Sequence, residues 1–173
     1  NHALMNRTLT AASEGKLHAE FLYSCHNNGA ASQAYPSIVA SGINATCLHY
    51  GANNGSIDRD ALILVDAGCE IEGYASDITR TFPANGRFSS VQKACYEMVL
   101  KAQSVAMESI KPGRSLGEIH EVAVGSLVDD MIQMKLLDVS ADEAIGKALY
   151  ADYYPHGTGH WLGLDVHDCG PDK

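Results

Sequence analysis

A chain of 173 residues, 46% apolar and 19% charged, is long enough to bury a core and has the composition of a soluble globular protein. Its formal charge of −9 excludes nucleic acid as a main partner, because phosphate contacts need lysine and arginine in excess. No apolar run approaches the roughly 20 residues that cross a bilayer, which argues against a membrane partner.

Residues 1–12 suit a helix, which Ser13-Glu14-Gly15 breaks, and a second helix is predicted over 16–27 with Asn28-Gly29 as its left-handed stop. The opening Asn1-His2-Ala3-Leu4-Met5 resembles neither a signal peptide nor a natural start, so an organelle-targeting segment ahead of it stays open. A strand is predicted over 35–41, and the short β-branched run 61–65 reads as a strand covered on both faces. A further strand over 74–82 follows Gly73 and stops at Pro83.

Ser89 with Gln92 makes a capping box for a long helix that ends at Lys111-Pro112-Gly113. Val91, Ala94, Cys95, Met98, Ala102, Val105 and Ala106 keep helical spacing along it and read as its core face. Ser115 with Glu118 caps the next helix, to about Leu137, and Ser140 with Glu143 a short one. Residues 153–169 read as a Gly- and His-rich loop leading into a strand. Helices, then strands, then helices, then strands make an α+β fold. Five cysteines (Cys25, Cys47, Cys69, Cys95, Cys169), odd in number and in no CxxC pair, are the reduced pattern of a cytoplasmic protein and disfavour a thiolate zinc site.

Asp66 and Asp77 each fall in a segment otherwise suited to a strand, joined by the hairpin candidate Gly68-Cys69-Glu70-Ile71-Glu72-Gly73. With the turn centred between Ile71 and Glu72, antiparallel partners have numbers summing to 143, as Asp66 and Asp77 do. The two carboxylates would then face each other with Cβ atoms roughly 4.5–5.5 Å apart. Like charges so placed share a proton, hold a cation between them, or point into water as strand-end aspartates. An oxygen-lined divalent site is the simplest way to keep both charged, with Thr79 on the same strand face as a hydrogen-bonding neighbour.

The stretch Pro155 to Asp168 holds His156, His160 and His167 among interleaved glycines, which oppose a helix and rule out the helical H-E-x-x-H zinc motif. A lone histidine is more often structural than a ligand; three clustered beside a carboxylate pair favour chemistry. His49, in Leu48-His49-Tyr50, is weaker evidence alone, and His2, His18, His26 and His120 read as solvated helix residues.

Leu48-His49-Tyr50, Val65-Asp66-Ala67-Gly68-Cys69, the run from Gly73 to Pro83 with Asp77 at its centre, and His160-Trp161-Leu162-Gly163-Leu164-Asp165-Val166-His167-Asp168 together resemble the pita-bread metallopeptidases. The last segment brings the likeness closest to the Xaa-Pro aminopeptidases, with prolidases next. The resemblance covers nearly the whole chain. It implies a pita-bread α+β fold, here cut off in its second half, so that 1–173 is a partial catalytic domain without its N-terminal neighbour.

By the same resemblance Asp66 chelates one metal, Asp77 bridges two, and His160 binds the second through a ring nitrogen. Two further glutamate ligands of the family would follow Lys173, which implies an inactive fragment. His49, His156 and His167 match its substrate-holding histidines. The cofactors implied are two divalent ions, Mn²⁺ first and Co²⁺ or Zn²⁺ as alternatives, which would acidify a water for attack on the bond before proline. The partner implied is a peptide with proline in second position, and a homo-oligomer is allowed. Alternatives are a prolidase, a non-catalytic binding module on the same fold, and a metal-free creatinase-like hydrolase.

Overall fold

The computed structural model describes residues 2–170; Asn1 and residues 171–173, where the predictions above begin and end, lie outside them. The described chain divides into two compact units, one running to Ser89 and including Trp161–Gly170, the other Ser90–His160. Among the described residues no helix is long and apolar enough to cross a membrane.

In the first unit, helix α1 (His2–Thr8) is shorter than the predicted 1–12, and Thr8 turns its hydroxyl back onto the Leu4 carbonyl at 2.8 Å. Ser13 does not break a helix but starts one. Its hydroxyl accepts from the Lys16 amide at 3.4 Å, so α2 (Glu14–Asn27) begins two residues before the predicted start. Gly29 takes φ 89°, the left-handed stop expected of it. His18 and His26 are not simply solvated. The Nε2 of His18 is buried with no hydrogen-bond partner, and His26 Nδ1 bonds the Ala30 carbonyl at 3.2 Å.

Strands β1 (Ser32–Gln33) and β2 (Ile38–Ser41) take the place of the single strand predicted over 35–41, with Tyr35 in the gap between them. Strand β3 (Leu62–Ala67) is followed by β4 (Cys69–Ile71), β5 (Tyr74–Ala75) and β6 (Ile78–Pro83). They form two three-stranded antiparallel sheets, ordered β1-β4-β5 and β2-β3-β6.

Strand β3 is not covered equally on both faces. Ile63, Val65 and Ala67 are buried on one, while Leu62, Leu64 and Asp66 are half-buried on the other. The buried face joins Leu4, Leu17, Phe21, Val39 and Phe82 in the core. Burying a side chain such as Ile63 or Val65 contributes about 1.5–3 kcal/mol each, so the face opposite Asp66 anchors the strand while its own face stays accessible.

The second unit is helical. Helix α3 (Ser90–Ser109) packs on α4 (Leu116–Gln133), and α5 (Ala141–Gly146) packs on α4 through Ala144, Val124 and Val128. The Ser115–Glu118 capping box and the Ser140 cap form as predicted. The predicted core face of α3 is buried only at Ala102 and Ala106, where small side chains let α4 approach; Val91 is 70% exposed.

Candidate metal centre

The hairpin closes at Glu72 (φ 53°) and Gly73 (φ 84°), with Ile71 opposite Tyr74 and Glu70 opposite Ala75. Positive φ at both central residues is the type I′ geometry, for which X-Gly is suited. The turn assumed from sequence would have placed β-branched Ile71 at positive φ, a conformation such residues resist. The register therefore moves by two: Asp66 faces Thr79, not Asp77, and Ala67 faces Ile78. A shift of two keeps side-chain parity, so Asp66 and Asp77 still belong to one face.

Strand pairing breaks where Asp77 sits. Any Cβ on Gly68 would collide with the Ser76 carbonyl, so only glycine lets the two arms close there. Ser76 repairs the ladder with its side chain: its Oγ accepts from the Cys69 amide at 2.9 Å and donates to the Cys69 carbonyl at 2.9 Å. The Gly68 carbonyl accepts instead from the Ala34 amide at 2.9 Å, which draws the 34–35 segment against the hairpin.

That last contact supplies a site residue the sequence reading missed. The Tyr35 hydroxyl lies 2.5 Å from Asp66 Oδ1 and 2.8 Å from Asp77 Oδ1, so the two carboxylates converge on one point. Burial first, and then the two carboxylates, push the Tyr35 phenol far above its ordinary range, so it stays protonated. One hydroxyl carries one proton and serves one carboxylate at a time. Two adjacent, half-buried anionic oxygens suit a hard divalent cation, and the donor set fits one. Thr79 is Asp66's cross-strand partner and is exposed; the hydroxyl that reaches the carboxylates is that of Tyr35.

His49 is exposed and left-handed (φ 57°) at the third position of a turn closed by the Tyr50 amide on the Cys47 carbonyl at 3.3 Å. His167 is exposed in the segment Trp161–Gly170, which is not the predicted strand. The Asp168 carboxylate accepts from the amides of Leu164 at 3.0 Å and Cys169 at 2.8 Å, and curls the chain into turns. Gly163 sits against that carboxylate, which a Cβ there would displace, and its carbonyl accepts from the Ala75 amide at 2.8 Å, docking the segment on the hairpin.

In the second unit His156 lies edge-on to Tyr154, with ring centroids 5.0 Å apart. Its Nδ1 bonds the Gly157 carbonyl at 3.0 Å, which makes Nδ1 the donor and leaves Nε2 as the acceptor of the neutral ring. His120, read from sequence as solvated, stacks on Tyr154 and meets the Thr158 hydroxyl at 2.9 Å, and the Tyr154 hydroxyl meets the same oxygen at 2.8 Å. His160 follows two residues later and is exposed. The structure thus brings Asp66 and Asp77 together in one unit, and His156 and His160 belong to the other. Among the described residues no group of three or more His, Cys, Asp or Glu side chains converges as a metal cage.

Comparison with known proteins adds an independent line. The model of metallopeptidase family M24 matches residues 2–172. The Xaa-Pro aminopeptidase of Haemophilus influenzae is 42% identical over 157 residues, 91% of this chain and 36% of that protein. The structure of Pseudomonas aeruginosa aminopeptidase PepP superposes with a TM-score of 0.93 at 47% identity, covering 98% of this chain and 39% of the other. A zinc-substituted Escherichia coli aminopeptidase P in complex with product superposes at 0.95 with 37% identity, covering 98% and 38%. The chain therefore has the α+β fold of these aminopeptidases and spans little more than a third of the relatives it matches. On the family match over almost its whole length, the chain belongs to metallopeptidase family M24.

Proposed function

We propose that this chain carries part of the active centre of a metal-dependent aminopeptidase that cleaves the bond between an N-terminal residue and proline. The observation that carries the reading is the convergence of Asp66 and Asp77 on one point beside a protonated phenol. The likeness to proteins named Xaa-Pro aminopeptidase supports the substrate class.

In this reading Asp66, Asp77 and His160 hold divalent ions, Mn²⁺ in the first instance. When bound, such ions supply Lewis acidity to water and to the scissile carbonyl. Asp66 and Asp77 offer hard oxygens, and Tyr35 holds one of those oxygens in place by donating its proton. His49, His156 and His167 meet the substrate. With Nδ1 committed to the Gly157 carbonyl, His156 presents Nε2 as the nitrogen that accepts or returns a proton. Proline in second position suits a dedicated pocket, because its amide nitrogen carries no proton and its ring fixes the backbone. Reduced cysteines support a cytoplasmic setting.

The test is hydrolysis of an Xaa-Pro-Xaa tripeptide by the full-length protein, which would carry the glutamate ligands expected after Lys173, after chelation and again after Mn²⁺ is restored. Activity that returns with Mn²⁺ and disappears when alanine replaces proline is expected. Equal cleavage of the alanine peptide would refute the specificity, and activity confined to Xaa-Pro dipeptides would make the protein a prolidase instead.

A further inference from the structure

Glu14 is a charged side chain with 0% of its surface exposed, in a unit whose other large, fully buried side chains are apolar except for Thr8 and Ser37. A buried carboxylate persists only when its lone pairs are met by donors. Here four donors meet them. Oε1 accepts from the Ser41 amide at 2.8 Å and from Asn44 Nδ2 at 2.9 Å. Oε2 accepts from the Tyr50 hydroxyl at 2.8 Å and from the Gly55 amide at 2.7 Å. The Glu14 amide in turn donates to the Gly55 carbonyl at 2.9 Å, and Ser13 bridges Ser56. Gly55 has no side chain for the same reason, since a Cβ would stand 2.9 Å from Glu14 Oε2.

These donors share a purpose that core packing does not explain. Tyr50 and Gly55 bracket a loop that contains one non-glycine residue in the left-handed region, Asn53 at φ 47°, and a second, His49 at φ 57°, immediately precedes it. Such conformations cost on the order of 1–3 kcal/mol each and last only where the surroundings over-determine them. Asn53 is held by its own side chain, which accepts from the Val39 amide at 2.8 Å and donates to the Ser37 carbonyl at 2.7 Å. His49 makes no such bond. The residue after it, Tyr50, is fixed by Glu14, and Asn44 Nδ2 reaches the same Tyr50 oxygen at 3.1 Å. Burial raises the Glu14 carboxyl, but the bonds from Asn44, Ser41, Gly55 and Tyr50 together outweigh it and leave the group ionised.

We propose that Glu14 is a positioning residue for the active centre: its four-donor carboxylate clamps the loop from Tyr50 to Gly55 and thereby holds His49 in its left-handed turn. The role rests on the reading that His49 meets the substrate, and Glu14 acts only through it. Glutamine at position 14 keeps the shape but turns two acceptor sites into donors. Its amide then faces either the Gly55 and Tyr50 donors or the Ser41 and Asn44 donors, and at least one backbone N–H, that of Gly55 or of Ser41, is left unmet.

The test pairs amide hydrogen exchange with kinetics in Glu14→Gln, His49→Ala and the double variant of the full-length protein. For Glu14→Gln, exchange protection at Gly55 or Ser41 should fall about tenfold or more, the range a buried unmet donor implies, with far-UV dichroism unchanged. The kcat on an Xaa-Pro peptide should fall as well, and Glu14→Gln added to His49→Ala should change kcat by less than about twofold, since residues acting as a unit are not additive. Losses that multiply in the double variant, or unchanged protection at both amides, would overturn the proposal. Should Glu14→Gln fail to fold, Tyr50→Phe removes one clamp bond, together with the Asn44 contact to the same oxygen, and the same non-additivity with His49→Ala is required of it. If the full-length wild-type protein cleaves no Xaa-Pro peptide, the functional reading has failed, and exchange at Gly55 and Ser41 still decides whether Glu14 clamps the loop.

Discussion

Replacing Asp77 with asparagine removes one of two like charges without changing shape. Both Oδ1 atoms touch the Tyr35 hydroxyl, at 2.5 and 2.8 Å, so they lie at most about 5 Å apart. At an effective dielectric constant near 20 that separation costs about 3 kcal/mol, and in water about 0.8 kcal/mol. Both residues are half-buried, so the repulsion in the metal-free protein falls near the lower figure, about 1 kcal/mol. The introduced amide could still accept from Tyr35 and could donate a proton to Asp66. Metal-free Asp77→Asn should therefore be more stable than the wild type by about 1 kcal/mol, seen as a higher urea midpoint at unchanged slope. Mn²⁺ should stabilise the wild type, by about 2.7 kcal/mol at a hundredfold excess over Kd, and should add little to the variant. A metal-free variant that is less stable than the wild type, together with an undiminished Mn²⁺ effect, would refute the reasoning.

Tyr35→Phe deletes a hydrogen bond to a charged acceptor and should lower metal-free stability by about 1.5–3 kcal/mol, measured by denaturant titration; no change would mean the phenol does not serve the carboxylates. The clamp at Glu14 gives a pH signature. Its folded pKa lies below the ordinary 4.5, so its contribution is fully present above 4.5 and is lost as pH falls through the lower folded value. Wild type should thus lose stability relative to Glu14→Gln as pH is taken below 4.5, and parallel curves would contradict the ionised clamp.

The pair of aspartates was legible because a charged residue at the end of an apolar run such as Leu62–Ala67 needs a reason to be there. Its register was not, although the signal was present: Glu72-Gly73 suits a type I′ turn, and Ile71 does not. Tyr35 is 31 residues from Asp66 and 42 from Asp77, and the pairing of β1 with β4 and of β2 with β3, with the Ala34–Gly68 backbone bond between them, brings it there. No periodicity reports such a contact. Glu14 sat in a Ser-Glu-Gly stretch that reads as a break, whereas serine before a helical pattern is also a cap. The stretch 153–169 reads as a Gly- and His-rich loop leading into a strand, but the Asp168 carboxylate folds its end back on itself.

The central claim, that Asp66, Asp77 and His160 hold the metal while His167 meets the substrate, is tested most directly by the metal content of two alanine variants of the full-length protein after dialysis against Mn²⁺. His160→Ala should lose bound metal along with activity. His167→Ala should lose activity while its metal content stays at the wild-type level. Equal metal loss in both variants would contradict the division of roles, and full metal retention in His160→Ala would remove that histidine from the centre.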